Sequence, residues 1–433
     1  MIGPPTDLSF VVSVVPSWLI PSLVFPLKGM AMSNIGSSPI ATSPVPAARL
    51  VSLDAYRGVV MLLLIFFDAP NDWTTPILHS HSEGSWIRNV AEQFRHVEWQ
   101  GLTLWDMVQP SFMFVVGAAV AFSYAARARR GDTFRRMLGR AVYRATLLIL
   151  LGVFLRSDGH GQTRWTFEDV VTQIGLGYVF LFLLWNRGWK IQIGAVAAIV
   201  VGYWLLFAAW PLPGPSYDYA AASGEQNWTD FRAHWNKNAH PAHYFDQWFL
   251  NLFPRSEPFV ANGGGYNTLN FAPSLATMIL GLMAGELLRG GRSPKQKLAL
   301  LLIGGMLACG IGAALDGSGA CPLVKRIWTP SFALFSGGIC LMTLAAFYAI
   351  IDLAGWRRWT FPAVIVGQNP IAAYVLIHLA AEWIVETLQR HLGTQPFTVV
   401  GPEFQPLLEN LSVGATVWLI CFWMHRRQIF LRL

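Results

Sequence analysis

Charge is what this chain has least of. Only 13% of its 433 residues are Asp, Glu, Lys or Arg, and 54% are hydrophobic, whereas a soluble domain carries roughly 25% charged residues. Such a chain has too little polar surface to cover a water-soluble fold. Cysteine is scarce too: Cys309, Cys321, Cys340 and Cys421 are scattered with no CxxC spacing. Three of them sit in apolar runs, where cysteine is usually a small packed hydrophobe, so neither a disulfide framework nor a zinc site follows. Walker loop, dinucleotide fingerprint and GxSxG elbow are all missing. The net charge of +7 does not point to nucleic acid, because the basic residues form short clusters between apolar segments, as membrane topology requires.

What is abundant is apolar sequence, including 19 Trp and 28 Phe, in runs that approach the roughly 20 residues needed to cross a bilayer. The expected fold class is all-α, a polytopic membrane helical bundle. Ten spans are predicted, at 53–69, 104–125, 139–156, 169–187, 190–211, 269–289, 297–316, 329–352, 361–388 and 407–425. Residues 8–27, apolar but broken by Pro16, Pro21 and Pro26, read as an eleventh span, an uncleaved signal or an upstream extension, with the extra span favoured. A signal peptide would need positive charge before that stretch, and Met1–Asp7 has none. Residues 33–48 read as a flexible linker. This divides the chain into an N-terminal segment, 1–48, and a transmembrane domain, 49–433.

Every even connection is basic: Arg127, Arg129, Arg130, Arg135, Arg136 and Arg140, then Arg187 and Lys190, then Arg289, Arg292, Lys295 and Lys297, then Arg357 and Arg358. Arg426 and Arg427 close the chain. The positive-inside rule places these connections and the C-terminus in the cytoplasm. The odd connections, 70–103 and the long 212–268 among them, then face outward, with Lys325 and Arg326 as minor exceptions. A bacterial inner membrane is the expected location, with membrane lipid as surroundings. A homodimer stays open.

Chemistry in such a chain must rest on polar residues at helix ends, where they are costly and default to function. Phe94–Phe114 is the richest run. His96 precedes a Trp-Gly turn and stands ten residues before Asp106. Imidazole exchanges protons near neutral pH, and Asp106 either orients that ring, as a carboxylate does in a triad, or only favours the first helical turn. Asp54 and Arg57 share a helix face. They read either as an interfacial ion pair or as a pair whose guanidinium holds an anionic ligand. Asp68 and Asp72 flank Pro70 and Asn71 at the outer end of the first span, where a capping or turn role stands beside a functional one. In the ninth span Gln368 and Asn369 precede Pro370, where a kink frees backbone carbonyls. His378, Glu382 and Glu386 share one face further out, as acceptor lining, interfacial solvation or, less favoured, metal ligands. The HPAH step at His240–His243 resembles a zinc fragment only in isolation; no metal is expected.

Two runs, RLVSLDAYRG at Arg49–Gly58 and HVEWQGLTLWDMVQPSFMFVVG at His96–Gly117, resemble the heparan-alpha-glucosaminide N-acetyltransferase-like membrane acyltransferases. Weaker similarity continues at Thr172, Asn267, Trp328 and Gly367, and so covers most of 49–425. The resemblance implies transfer of an acetyl group from cytoplasmic acetyl-CoA, as donor substrate, to an amino sugar or other glycan acceptor on the far side. It places the active-site histidine at His96, followed in step by Trp99, Gly101, Thr103 and Asp106, and the motif arginine at Arg57. Asp68 stands where the family commonly has asparagine. The candidate catalytic set is His96, Asp106 and Asp68. Arg57, Trp99, Asn369, His378 and Glu382 are the expected contacts to donor and acceptor. A transporter or flippase for a glycan or lipid intermediate, using the same polar cavity, is the competing reading.

Overall fold

The computed structural model describes residues 50–219 and 227–431. The expected extra span and linker, and the N-terminal domain they form, lie outside the described residues. Among those described, the fold is all-helical. The helices are α1 (Val51–Phe67), α2 (Thr74–Ser80), α3 (Trp86–Gln93), α4 (Val108–Arg129), α5 (Phe134–Ser157), α6 (Val170–Leu184), α7 (Trp189–Ala208) and α8 (Pro241–Phe249). They continue with α9 (Phe271–Arg289), α10 (Pro294–Gly317), α11 (Pro330–Phe347), α12 (Phe361–Gln368), α13 (Pro370–Leu392), α14 (Gln395–Thr398) and α15 (Gln405–Arg426).

Eight helical segments are long and apolar enough to cross a membrane. All ten predicted segments are helical, but α1 and α6, at 17 and 15 residues, fall short of that length. Among the described residues the supported count is therefore eight, not the predicted ten, and the expected eleventh lies outside them. The ninth segment is two helices, because Pro370 has no N–H to continue α12 and starts α13 instead. The connection 70–103, read as loop, holds α2 and α3. Asp72 begins the first of these by accepting from Thr74 N at 3.0 Å and Thr75 N at 3.1 Å, the side-chain cap that satisfies a helix's first N–H groups.

Helices α4 and α9 form the centre, and glycine decides how closely they approach. A Cβ at Gly281 would stand 1.9 Å from the Phe114 carbonyl oxygen, and one at Gly117 would stand 1.9 Å from that of Met278. Lipid offers no hydrophobic drive for helices to associate, so such backbone proximity, with its dispersion contacts, is what binds them. Helix α10 lies at the edge. Leu302, Ile303, Met306, Leu307 and Ile311 are all exposed, as expected of a helix that is apolar all round and faces lipid.

Candidate active site

His96 stands on the turn between α3 and a short 3-10 turn, Trp105–Met107, that leads into α4. Its Nδ1 lies 2.7 Å from Asp106 Oδ1. Asp106 is fully buried, and both its oxygens are engaged. Oδ2 accepts from Thr103 N at 3.2 Å and Val97 N at 3.4 Å, with the Thr103 hydroxyl at 3.0 Å. Oδ1 faces His96 and also the ammonium of Lys325, 3.2 Å away. A carboxylate so surrounded by donors is held as an anion and fixed in place.

Lys325 comes from the loop between α10 and α11, and backbone bonds lace that loop to the His96 turn. Gly101, at φ +122, takes a conformation that a side chain would strain, and its N–H donates to Leu323 O at 2.9 Å. Gln100 Nε2 and Leu323 N both donate to Asp316 Oδ1, at 2.8 and 2.7 Å. Arg326 reaches the Gly264 carbonyl at 2.9 Å. Burial draws the Lys325 ammonium below its ordinary value, and the Asp106 charge opposes this.

Asp68, at the end of α1, behaves unlike Asp72. It caps no helix. The residue is exposed at the end of α1, yet its carboxylate is desolvated and acted on by His378, His96, Lys325 and Arg156, as in a recess rather than on an outer face. From α13, His378 packs against Tyr374, ring centroids 4.2 Å apart and tilted by 31°, and its Nδ1 lies 2.9 Å from the Tyr374 carbonyl. On a further side Arg156 pairs with Asp169, beside Glu168. Exposed Glu382 follows His378 one turn along α13.

Other residues singled out from the sequence are placed apart from this recess. Arg57 pairs with Asp54 at 3.0 Å, eleven residues and so about 16 Å along α1 from Asp68. Trp99 is buried, donates to the Trp235 carbonyl at 3.1 Å and anchors the outer connection over a core with Tyr203, Phe207 and Ile327. Asn369 is buried at the α12–α13 break, where it donates to Ile429 O at 3.0 Å and accepts from Leu431 N at 2.9 Å. His240 caps α8 by accepting from His243 N at 3.3 Å. Burial lowers the two imidazoles to about 3 and about 4 respectively, which keeps both neutral. Lys325 is the residue that sequence reasoning passed over. Its only signal was a lone cationic pair on the wrong side of the charge pattern.

Glu168 provides a test of this charge arrangement. Burial, reinforced by Asp169, pushes its carboxyl up to about 7, against about 4.3 in an unfolded chain. Between these values the folded protein keeps a proton that the unfolded chain releases, so stability falls as pH rises through that window. Glu168→Gln removes the slope. Its thermal midpoint is expected above that of the wild type near pH 8 and level with it below about pH 4.5. An equal gap at both pH values would mean that another group titrates.

No family model matches the sequence. Two curated proteins do. Heparan-alpha-glucosaminide N-acetyltransferase of Homo sapiens is 23% identical over 430 residues, covering 88% of this chain and 59% of that protein. The protein of the same name from Mus musculus is 22% identical, covering 89% and 60%. The chain spans about three fifths of the length of these relatives.

Proposed function

We propose that this heparan-alpha-glucosaminide N-acetyltransferase-like chain is a transmembrane acetyltransferase that moves an acetyl group from cytoplasmic acetyl-CoA to a sugar amine or hydroxyl on the extracytoplasmic side. The observation that carries the reading is the His96–Asp106 pair, 2.7 Å apart on a recess wall, because an imidazole backed by a fixed carboxylate is equipped for proton transfer.

In the direct route, the acceptor nitrogen attacks the thioester carbonyl carbon while His96 Nε2 takes the amine proton. The C–S bond then breaks, and the departing sulfur takes up the proton that Nε2 held. In a two-step route the imidazole carries the acetyl group between donor and acceptor. Asp68, His378 and Glu382 line the acceptor side, and aromatic faces of the outer connection suit a sugar ring. Arg57, at the other end of α1, meets the phosphates of the donor. With α1 and α6 counted as short crossings, the chain spans the membrane ten times, its C-terminus in the cytoplasm of a bacterial inner membrane.

The test is incubation of purified protein with acetyl-CoA labelled in the acetyl group and a panel of amino sugars. A labelled, acetylated sugar is expected; label retained on the protein would select the two-step route. Absence of both labelled product and coenzyme A release across the panel would overturn the reading.

A further inference from the structure

We propose that Lys325 is a positioning residue of the His96 site, whose ammonium sets the imidazole tautomer and holds the ring uncharged with Nε2 open to a proton. His96 Nδ1 lies 2.7 Å from Asp106 Oδ1 and 3.0 Å from Lys325 Nζ. One nitrogen cannot both donate to the carboxylate and accept from the ammonium. Two lone pairs facing each other at 2.7 Å would repel, so the proton sits on Nδ1 and points at Asp106. Lys325 donates to the same carboxylate oxygen, at 3.2 Å. Nε2 is then the bare nitrogen.

A second proton on the ring would place a cation beside a locked ammonium. The main chain beneath it is fixed, with Trp328 N donating to Lys325 O at 2.8 Å and Thr329 N to Val324 O at 3.1 Å, and Nζ itself is tied to Asp106 Oδ1 at 3.2 Å. Lys325 is 4% exposed, so water screens this repulsion poorly. A carboxylate alone would favour the imidazolium; here the lysine offsets it. The other charged groups facing the ring are Asp68 from the end of α1 and Arg326, whose guanidinium donates to Val97 O at 3.4 Å. Tyr266 lies under that guanidinium at 5.6 Å. The two cations therefore stand against Asp106 and Asp68, and removing Lys325 leaves the carboxylates in excess around the ring.

The inference rests on the reading of His96 as the base, and its test does not need turnover. Diethyl pyrocarbonate acylates the unprotonated imidazole, so its pH profile at the His96 peptide, read by mass spectrometry on the full-length protein in detergent, reports when the ring is uncharged. In Lys325→Met the labelling midpoint is expected to rise by about one pH unit, which lowers labelling on the acid side about tenfold. Lys325→Arg, which keeps the charge, stays near wild type. Should the methionine variant fold poorly, Lys325→Gln keeps a donor to Asp106 without the charge and reads the same shift. An unchanged or lowered midpoint in the folded uncharged variant overturns the proposal. A raised midpoint in a protein that transfers no acetyl group would keep the lysine's role and sink the acetyltransferase reading instead.

Discussion

Replacing His96 with alanine is expected to lower acetyl transfer by about 10²- to 10⁴-fold, the usual contribution of a positioned general base, and to leave the protein folded. The second half follows from the surroundings of Asp106. After loss of the imidazole its carboxylate still accepts from Thr103 N and Val97 N and still faces Lys325, so no uncompensated buried charge remains to destabilise the bundle. His96 is itself 38% exposed, so its removal opens no sealed cavity. The check pairs the labelled-acetyl assay with a size-exclusion profile and a thermal midpoint. Full turnover by a folded variant would remove His96 from the chemistry. Loss of the monodisperse peak would instead mean that the ring supports the fold.

Gly281→Ala is expected to disrupt folding outright. A single added Cβ would stand 1.9 Å from the Phe114 carbonyl oxygen, deep inside the contact distance of any real pair. Neither partner can yield locally, because the obstacle is helix backbone and because Gly117 approaches Met278 just as closely in return. The two central helices must separate, and dispersion across the seam is lost along its length. Loss of folded protein after detergent extraction is the expected result. Gly310→Ala, on lipid-facing α10 with open space around the site, is the control. A variant at Gly281 as stable as that control would show that the seam is looser than described.

What the sequence made legible and what it hid divide along chain separation. Helical segments are local, and each of the ten appears where its apolar run lies. The break before Pro370 was likewise readable, since it needs only the missing N–H. His96 and Asp106 are ten residues apart on one turn, so their meeting could be anticipated. Lys325 could not be placed with them, because it stands 229 positions from His96 and only tertiary packing closes that distance. Trp99 illustrates the opposite difficulty: an aromatic beside a reactive-looking histidine suggests a substrate wall, yet its indole N–H is taken by a backbone carbonyl across the outer core. Asp68 and Asp72 looked alike as turn residues. One became a cap and the other a recess wall, a difference set by helices far along the chain. The gap between eight and ten crossings has a simpler origin, since hydropathy identifies apolar runs more reliably than the helix ends that fix their lengths.

Lacing between the Gly101 turn and the Leu323–Lys325 loop also bears on biogenesis. Synthesis proceeds from the N-terminus, so Asp106 enters the membrane long before the ribosome has made the lysine that neutralises it. Until that residue is translated, a nascent chain must shelter an acidic side chain in the translocon or at the headgroup layer. Assembly of the finished centre is thereby deferred until the connection after α10 has been translated.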